Sequence, residues 1–397
     1  MSNPLTTPQT VDIAQPLNEL LNIAHERPFS LLLANYSWLL GIAGGITLIW
    51  VVYAWRGRRD WNAFTLAMPL TVIMVIAGFL NVLAEVQQPS RLIYGYLHGW
   101  NDWDTAIIKY GILLLPLLLM GAWWLSFQVL DRAVLGQAIE RLPPRLRPLA
   151  DFFSLWSRRW SLEQRPRLYR IVLALMFLLG LFAPLYSGIF LMNEHGVPVW
   201  NSPAQALIFL ALGVAKGAVV LMLFVPLLQR LATGQRVAIE PNLSTVAAVS
   251  VALALIVWAG WMWWLGRFGT VAELRAANLF MGPYASAIFW NWWMAGSLIP
   301  LALLLSPLRR VAVVSYLAAF GILWGSYAVR FFILIGGQAL NRSGASYLAF
   351  QPNGYVLWYT GANLLFVAGL LALLTWIVAA VRAAQSDPFS TGGSRHG

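Results

Sequence analysis

One short stretch of the chain combines groups that membrane proteins seldom place together. Glu85 ends a long apolar run, and two amides, a proline and Arg91 follow it. An ionisable side chain at the edge of hydrocarbon costs roughly 3 kcal/mol unless it is paired or hydrated. The stretch therefore predicts a site near a membrane surface, where a carboxylate exchanges protons with a lipid-soluble molecule. The structural alternative is that Glu85 simply pairs with Arg91.

A second group of polar residues lies just before the third apolar run. Its members can donate, accept or exchange protons: Tyr94, Tyr96, His98, Asn101, Asp102, Asp104, Lys109 and Tyr110. A quinone headgroup needs hydrogen bonds to two oxygens, a proton exchanger for each oxygen and an apolar cleft for its tail, and this group supplies those side chains. Asp102 and Asp104 also suit the cap of the next helix, and for these two residues we favour the cap.

Two cationic side chains lie inside apolar runs. Lys216 is about 20 Å from either end of its run, too far for snorkelling, and it needs a partner or water. Arg330 lies toward the outer end of its run, where it can face the same pocket as Glu85. An ion pair is the structural alternative for both residues, while a proton path and a neutral buried amine are also open for Lys216. Gly213 and Gly217 beside Lys216 predict a close approach of helices.

The composition restricts the class of protein. Of the 397 residues 59% are hydrophobic and 10% are charged, which is typical of integral membrane proteins. The formal charge of +11 lies in loops between apolar runs, so we do not expect nucleic-acid binding. Since the chain has no cysteine, it holds no thiolate-ligated iron–sulfur cluster. The four histidines lie outside the apolar runs, and we predict neither a membrane haem nor another metal site.

Nine apolar runs reach the roughly 20 residues that are needed to cross a hydrocarbon core of about 30 Å. The runs are 30–54, 65–86, 106–130, 168–192, 203–229, 244–266, 283–305, 309–336 and 356–381. The sequence therefore predicts an all-α integral membrane protein with nine transmembrane helices. We expect Pro300 and Pro307 to interrupt the pattern near 283–310, with a tight connection at 306–310.

The arginines predict the orientation in the membrane. Eighteen arginines lie on one side of the predicted bundle, in alternate loops and after the last run. Five lie on the opposite side, in the other loops and before the first run. By the positive-inside rule the arginine-rich side is cytoplasmic, so we expect the N-terminus outside and the C-terminus inside.

Four segments complete the predicted domain organisation. Residues 1–29 lack the pattern of a cleaved signal peptide and predict an amphipathic segment on the outer surface. Residues 131–167 predict a basic cytoplasmic loop along anionic lipid, for which we favour a topological role over a docking site. Residues 339–382 contain an outer loop and the ninth helix, and 383–397 form a cytoplasmic tail.

Five segments resemble, in order, the NrfD-like family of membrane subunits of polysulfide reductase, tetrathionate reductase and related iron–sulfur molybdoenzymes. They are 35–45, 85–91, 185–188, 197–202 and 330–338. The tetrathionate-reductase type is among the branches that look closer. The resemblance covers residues 30–338 and implies an eight-helix membrane core of two four-helix bundles, to which a ninth helix is added.

The resemblance implies a haem-free, quinone-reactive subunit in a bacterial cytoplasmic membrane. Such a subunit oxidises quinol or reduces quinone, either menaquinone or ubiquinone, at an outer-leaflet site in respiratory sulfur-compound or oxyanion metabolism. It carries the quinone site of an oxidoreductase complex without the terminal catalytic centre. The partners implied are membrane lipids, a four-cluster ferredoxin-like subunit and a molybdopterin catalytic subunit. A sulfite-reduction-linked, hydrogenase or alternative complex III assembly is the alternative within this class.

The family motifs map onto particular residues of this protein. Those expected near the quinone are Asn35, Tyr36, Glu85, Arg91 and Tyr186, to which we add Ser187, Asp102, Asp104, Arg330 and Gln338 as candidates. We expect Tyr186 and Asn35 to hold quinol oxygens, and Glu85, near Arg91, to accept a proton.

Lys216 and Lys109 form a candidate proton path. Lys216 departs from the family pattern, in which a small or apolar residue is expected at this position. A transporter that uses Lys216 and Arg330 as counter-charges for its substrate is the alternative from another class. Against it, the sequence has no inverted repeat and no matched pair of broken helices.

Overall fold

The computed structural model describes most of the protein as a bundle of helices. The described residues are 29–57, 61–85, 94, 97, 98, 106–129, 136, 139, 140, 142–157, 162, 164–192, 197–234, 241–339 and 353–386. The long helices are α1 (Leu31–Trp55), α2 (Trp61–Glu85), α3 (Ala106–Val129), α5 (Pro166–Met192), α6 (Ala204–Thr233), α7 (Pro241–Phe268), α9 (Ala285–Leu305), α10 (Ala312–Gly336) and α11 (Gly354–Ser386). Two short helices, α4 (Arg147–Phe153) and α8 (Val271–Met281), lie between them.

Eight helices within these ranges are long and apolar enough to cross a membrane. In α3 the apolar helix is shorter and covers Leu113–Gln128. The all-helical prediction is confirmed for the described residues, and the helices are those of a multi-pass membrane protein. The ninth crossing, the division into two four-helix bundles and the orientation stay predictions. Of the predicted segments 1–29 and 383–397, residues 1–28 and 387–397 lie outside the described residues.

Helix α1 lies at the centre of the bundle. Its most apolar 18-residue window is 83% buried, and it packs against α2, α5 and α6. Contact with α6 depends on glycine, because a Cβ atom at Gly45 would lie 2.0 Å from the carbonyl oxygen of Gly213 and one at Gly217 would lie 2.3 Å from the carbonyl carbon of Gly45. The close approach predicted from Gly213 and Gly217 is therefore confirmed.

The outer surface of the bundle is apolar. In α11 the most apolar window is only 17% buried, and Leu365 and Trp376 are 76% and 68% exposed. Water would strongly disfavour a continuous surface of this kind, whereas hydrocarbon is a suitable solvent for it. The surface thus agrees with the membrane class that the composition predicts.

The region near 283–310 and the segment just before it both differ from the prediction. Helix α9 continues through Pro300. Its ten residues Phe289–Leu298 are π-helical, and α-helical turns follow them. Proline has no N–H for the helical ladder, and a widened turn accommodates it without ending the helix. Helix α8 was not predicted; it is a short helix that starts with a capping box of Thr270 and Glu273.

The tight connection predicted at 306–310 is confirmed. It is a 3₁₀ turn over Pro307–Arg310, and the Ser306 hydroxyl accepts a hydrogen bond from Leu308 N at 3.2 Å.

Candidate functional site

The helix ends at one end of the bundle, where α1 begins and α2 ends, form the candidate site. Ser30 caps α1, since its hydroxyl accepts a hydrogen bond from Leu32 N at 3.1 Å. Glu85, the last residue of α2, accepts a hydrogen bond from Ser30 N at 2.6 Å and a second, short one from Ser30 Oγ. Both carboxylate oxygens act as acceptors, which suits the ionised form of Glu85. The predicted acid therefore fixes the start of α1.

Gln338 holds the residue next to this cap. Its side-chain oxygen accepts a hydrogen bond from Phe29 N at 3.0 Å, and its side-chain nitrogen donates to Phe29 O at 3.1 Å and to Leu334 O at 2.9 Å. The Phe29 ring lies 5.8 Å from the Phe190 ring and 5.7 Å from the Trp200 ring. Glu85, Trp200 and Gln338 belong to three of the segments that resemble the family, and Phe190 lies two residues after a fourth. These four residues therefore meet around Phe29 and Ser30.

Tyr186 lies near the same end of the bundle, where α5 packs against α3. A Cβ atom at Gly111 of α3 would lie 2.3 Å from the Tyr186 hydroxyl oxygen, so the tyrosine occupies the space that this glycine leaves open. The Tyr186 ring is 6.4 Å from the Phe190 ring, which in turn contacts Phe29. A continuous aromatic path thus joins Tyr186 to the residues that Glu85 and Gln338 hold.

Ser187 contributes a buried hydroxyl beside Tyr186. Its Oγ atom has no hydrogen-bond partner among the described residues. Pro184 of α5 faces α1, because its Cδ atom lies 2.5 Å from where a Cβ atom of Gly44 would be. Ser187 is three positions after Pro184 and therefore lies on the same side of α5. A buried hydroxyl without a partner is costly, and a ligand oxygen or water would satisfy it.

Asn35 belongs to a hydrogen-bond network that joins four helices. Its oxygen accepts from the Tyr327 hydroxyl at 2.8 Å, and its nitrogen donates to Thr360 Oγ1 at 3.0 Å and to Asn81 Oδ1 at 3.4 Å. Both N–H groups are therefore used within the protein, and a direct bond from them to a quinone oxygen would require breaking one of these contacts. The neighbouring residue, Tyr36, is buried against Gly78 of α2.

Lys216 and Arg330 are both completely buried. The Lys216 side-chain nitrogen donates to Trp38 O at 2.7 Å. Arg330 Nε donates to Ser37 Oγ at 3.1 Å, and the guanidinium carbon lies 4.4 Å from the centre of the Phe209 ring. Because Ser37 is seven residues after Ser30, Arg330 contacts α1 about 10 Å deeper than Glu85 does.

The two cations meet at Gly41 of α1. A Cβ atom at this glycine would lie 2.6 Å from Lys216 Nζ and 2.8 Å from Arg330 Nη2, and Nη2 has no hydrogen-bond partner among the described residues. Among the described residues no carboxylate pairs with Lys216 or Arg330, so the ion pair expected as the structural alternative is not observed within those ranges. The sequence predicted the two charges but not that they would be neighbours.

The remaining predicted residues lie at the margin of what the structure describes. Arg91, Asp102 and Asp104 are outside the described residues, and Lys109 lies in α3. Within the described ranges no group of three or more acidic or histidine residues could hold a metal ion.

Sequence reasoning missed several site residues. Ser30 carries a recognisable signal, because a serine before an apolar run is a typical helix cap. The roles of Phe29, Tyr327 and Thr360 depend on contacts between residues about 290 to 325 positions apart, for which the sequence offers no local signal.

Comparison with known proteins places this sequence in a family. The family model described as "Polysulphide reductase, NrfD" matches residues 19–341. Protein NrfD of Escherichia coli (strain K12) is 25% identical over 331 residues, which covers 77% of this sequence and 93% of that protein. The C subunit of polysulfide reductase from Wolinella succinogenes is 25% identical over 316 residues, with the same two coverages of 77% and 93%. Since the family model spans most of the sequence, this protein belongs to the NrfD polysulphide reductase family.

Proposed function

We propose that this protein is the quinone-reactive membrane subunit of a multisubunit iron–sulfur molybdoenzyme in a bacterial cytoplasmic membrane. Its quinol site is at the end of the bundle where α1 begins. The observation that carries the proposal is the convergence of Glu85 and Gln338 on Phe29 and Ser30, with Tyr186 one aromatic contact away. Family membership supports a membrane subunit of this kind, and one relative bears the name of a polysulfide reductase subunit.

The chemistry is a balanced two-electron oxidation. Quinol becomes quinone and releases two electrons and two protons. Glu85 accepts one proton, because its ionised carboxylate lies at the membrane edge, and water there takes the second. The Tyr186 hydroxyl and the unpartnered Ser187 hydroxyl hydrogen-bond the quinone oxygens. The reverse steps reduce quinone, and either menaquinone or ubiquinone suits these groups.

The electrons pass to a partner protein. Because this sequence has no cysteine, thiolate-ligated clusters belong to a ferredoxin-like subunit with four clusters, and the molybdopterin to a catalytic subunit beyond it. Both partners dock on the outer face. Terminal substrates of respiratory sulfur-compound or oxyanion metabolism react on that catalytic subunit. The sulfite-reduction-linked, hydrogenase and alternative complex III assemblies differ from this one only in those partners.

The other predicted residues have supporting roles in the proposal. Asn35 and Tyr36 position α1 against its neighbours, and Gln338 fixes the backbone at Phe29. Arg91, Asp102 and Asp104 lie outside the described residues and stay candidates for the quinone site from the sequence alone. Lys216, with Lys109, carries protons further into the bundle.

A transporter is the second candidate function, and the observation that favours it is the pair of buried cations at Gly41. A site with two basic side chains and no carboxylate partner among the described residues suits an anionic substrate. The two functions differ in their partners, since a transporter works alone or as an oligomer of one polypeptide.

Mild-detergent purification of the tagged protein separates these functions. We expect iron–sulfur and molybdenum proteins to co-purify with it, and a quinol analogue to reduce the partner's clusters with the loss of their visible absorbance. Purification of an oligomer of this protein alone, which moves a labelled anion into liposomes, would replace the redox proposal with the transporter.

A further inference from the structure

An apolar groove opens on the lipid-facing surface at the end of the bundle opposite Glu85. It lies between α3 and α5 and has a volume of about 750 Å³. Leu114, Leu117 and Trp124 line it from α3, and Val172, Leu175 and Leu179 line it from α5. From Leu114 to Trp124 the groove runs about 15 Å along the helix, which is half the thickness of a hydrocarbon core of roughly 30 Å. Its length therefore matches one acyl tail in one leaflet.

The basic segment after α3 closes this groove at its membrane-surface end. Leu155 and Trp156 line the groove there and have left-handed backbone angles, with φ values of 50° and 51°. The turn is held by a hydrogen bond from Trp156 N to Asp151 O at 2.8 Å. It is fixed to α3 by the bond from Trp123 Nε1 to Phe153 O at 2.6 Å. These hydrogen bonds hold the turn that closes this end of the groove.

Positive charge lies beside the closed end. Arg167 is exposed in the first turn of α5, which contains no acidic residue, and Arg170 is exposed three residues later. Arg167 is eight and eleven positions before Leu175 and Leu178, so these three residues share one face of the helix. A molecule with its tail along Leu175 and Leu178 would therefore place its headgroup at the Arg167 guanidinium, whereas Arg170 lies about 140° from Leu175 around the helix. Guanidinium binds phosphate oxygens with paired, charge-assisted hydrogen bonds.

We propose that this groove binds an anionic glycerophospholipid, with one acyl tail between α3 and α5 and its phosphate at Arg167. A quinone does not suit the groove, because every residue that lines it is apolar and none exchanges protons with a headgroup. The proposal is independent of the quinol site, which lies at the other end of the bundle.

Native mass spectrometry of the purified protein tests this proposal. The protein in detergent is mixed with phosphatidylglycerol or with phosphatidylcholine of the same acyl composition. We expect the wild type to retain phosphatidylglycerol about tenfold more than phosphatidylcholine, and Arg167→Gln to lose that preference. The matched control is Arg170→Gln, an exposed arginine on another face of the same helix, which should keep the preference.

A second variant tests the acyl-tail part. Leu175→Trp fills the groove and should lower retention of both lipids, whereas Leu365→Trp on the exposed face of α11 should not. Equal retention of the two lipids by the wild type, or an unchanged lipid preference in Arg167→Gln, would overturn the proposal. Should Arg167→Gln fail to fold, the thermal shift of the wild type decides: phosphatidylglycerol must raise its unfolding temperature more than phosphatidylcholine does.

Discussion

At the scale of single residues, two side chains hold the residues that precede α1. Glu85, at the end of α2, binds Ser30, and Gln338, just after α10, binds Phe29. Their side chains could be singled out from the sequence because charged and amide groups are rare beside apolar runs. The hydrogen bonds that hold Phe29 and Ser30 could not be predicted, because all but one of the partners there are backbone atoms. Backbone groups look alike in every sequence, and only the fold determines which of them are near.

Replacement of Tyr186 by phenylalanine removes a single hydroxyl from the proposed quinol site. The loss of one hydrogen bond is worth about 1 kcal/mol, so we expect the apparent quinol KM to rise roughly fivefold with kcat little changed. Steady-state oxidation of a quinol analogue measures both parameters. Tyr316→Phe, in the first turns of α10 at the opposite end, is the control. An unchanged KM in Tyr186→Phe would remove this residue from the site.

Gly41→Ala tests the cluster of buried cations directly. The new methyl group would lie within 3 Å of both Lys216 and Arg330, so these charged groups must shift. We expect a loss of about 1–3 kcal/mol, seen as an unfolding temperature several degrees lower. Gly361→Ala in α11 is the matched control, since nothing lies within 4 Å of its added methyl group. Equal unfolding temperatures for the two variants would contradict the packing of the cations at Gly41.

Lys216→Met keeps the length of the side chain and removes the buried ammonium. If Lys216 carries protons, turnover should stay within about twofold of the wild type while fewer protons are moved per electron pair. The proton-to-electron ratio of the complex in liposomes measures this effect. A ratio equal to that of the wild type would leave Lys216 with only the structural role of its bond to Trp38 O.

At the scale of helices, α11 completes the site although it lies beyond the residues that the family model matches, 19–341. Thr360 accepts a hydrogen bond from Asn35, and Asn363 donates to Ala77 O at 2.9 Å. The positions of the long helices could be predicted, because apolar runs of sufficient length are a strong signal. The short helix α8 and the π-helical turns of α9 could not, since they depend on a local cap and on packing around Pro300.

Thr360→Val separates α11 from the Asn35 network without a large change in volume. Because Asn35 then loses an acceptor, we expect quinol turnover to fall severalfold, at a cost of about 1 kcal/mol. Thr375→Val is the matched control, as the Thr375 hydroxyl donates to Leu371 O within the same helix. Equal turnover in both variants would show that α11 packs beside the site without contributing to it.

At the scale of the whole molecule, the two ends of the bundle differ in chemistry. One end gathers a carboxylate, amides and tyrosine around the start of α1, and the other carries arginines beside an apolar groove. The sequence predicted this asymmetry from the arginine distribution, because charge in loops is visible without a fold. It could not predict the groove, which exists only where α3, α5 and the basic segment meet.

The measurement that tests the central claim most directly is oxidation of a quinol analogue by membranes that contain Glu85→Gln. Glutamine preserves size but cannot accept the proton, so turnover should fall by about 100-fold or more and inhibitor sensitivity should change. Glu140→Gln, an exposed acid in the basic segment at the other end, should keep wild-type turnover. Wild-type turnover and wild-type inhibitor sensitivity in Glu85→Gln would contradict a proton-accepting quinol site at the start of α1.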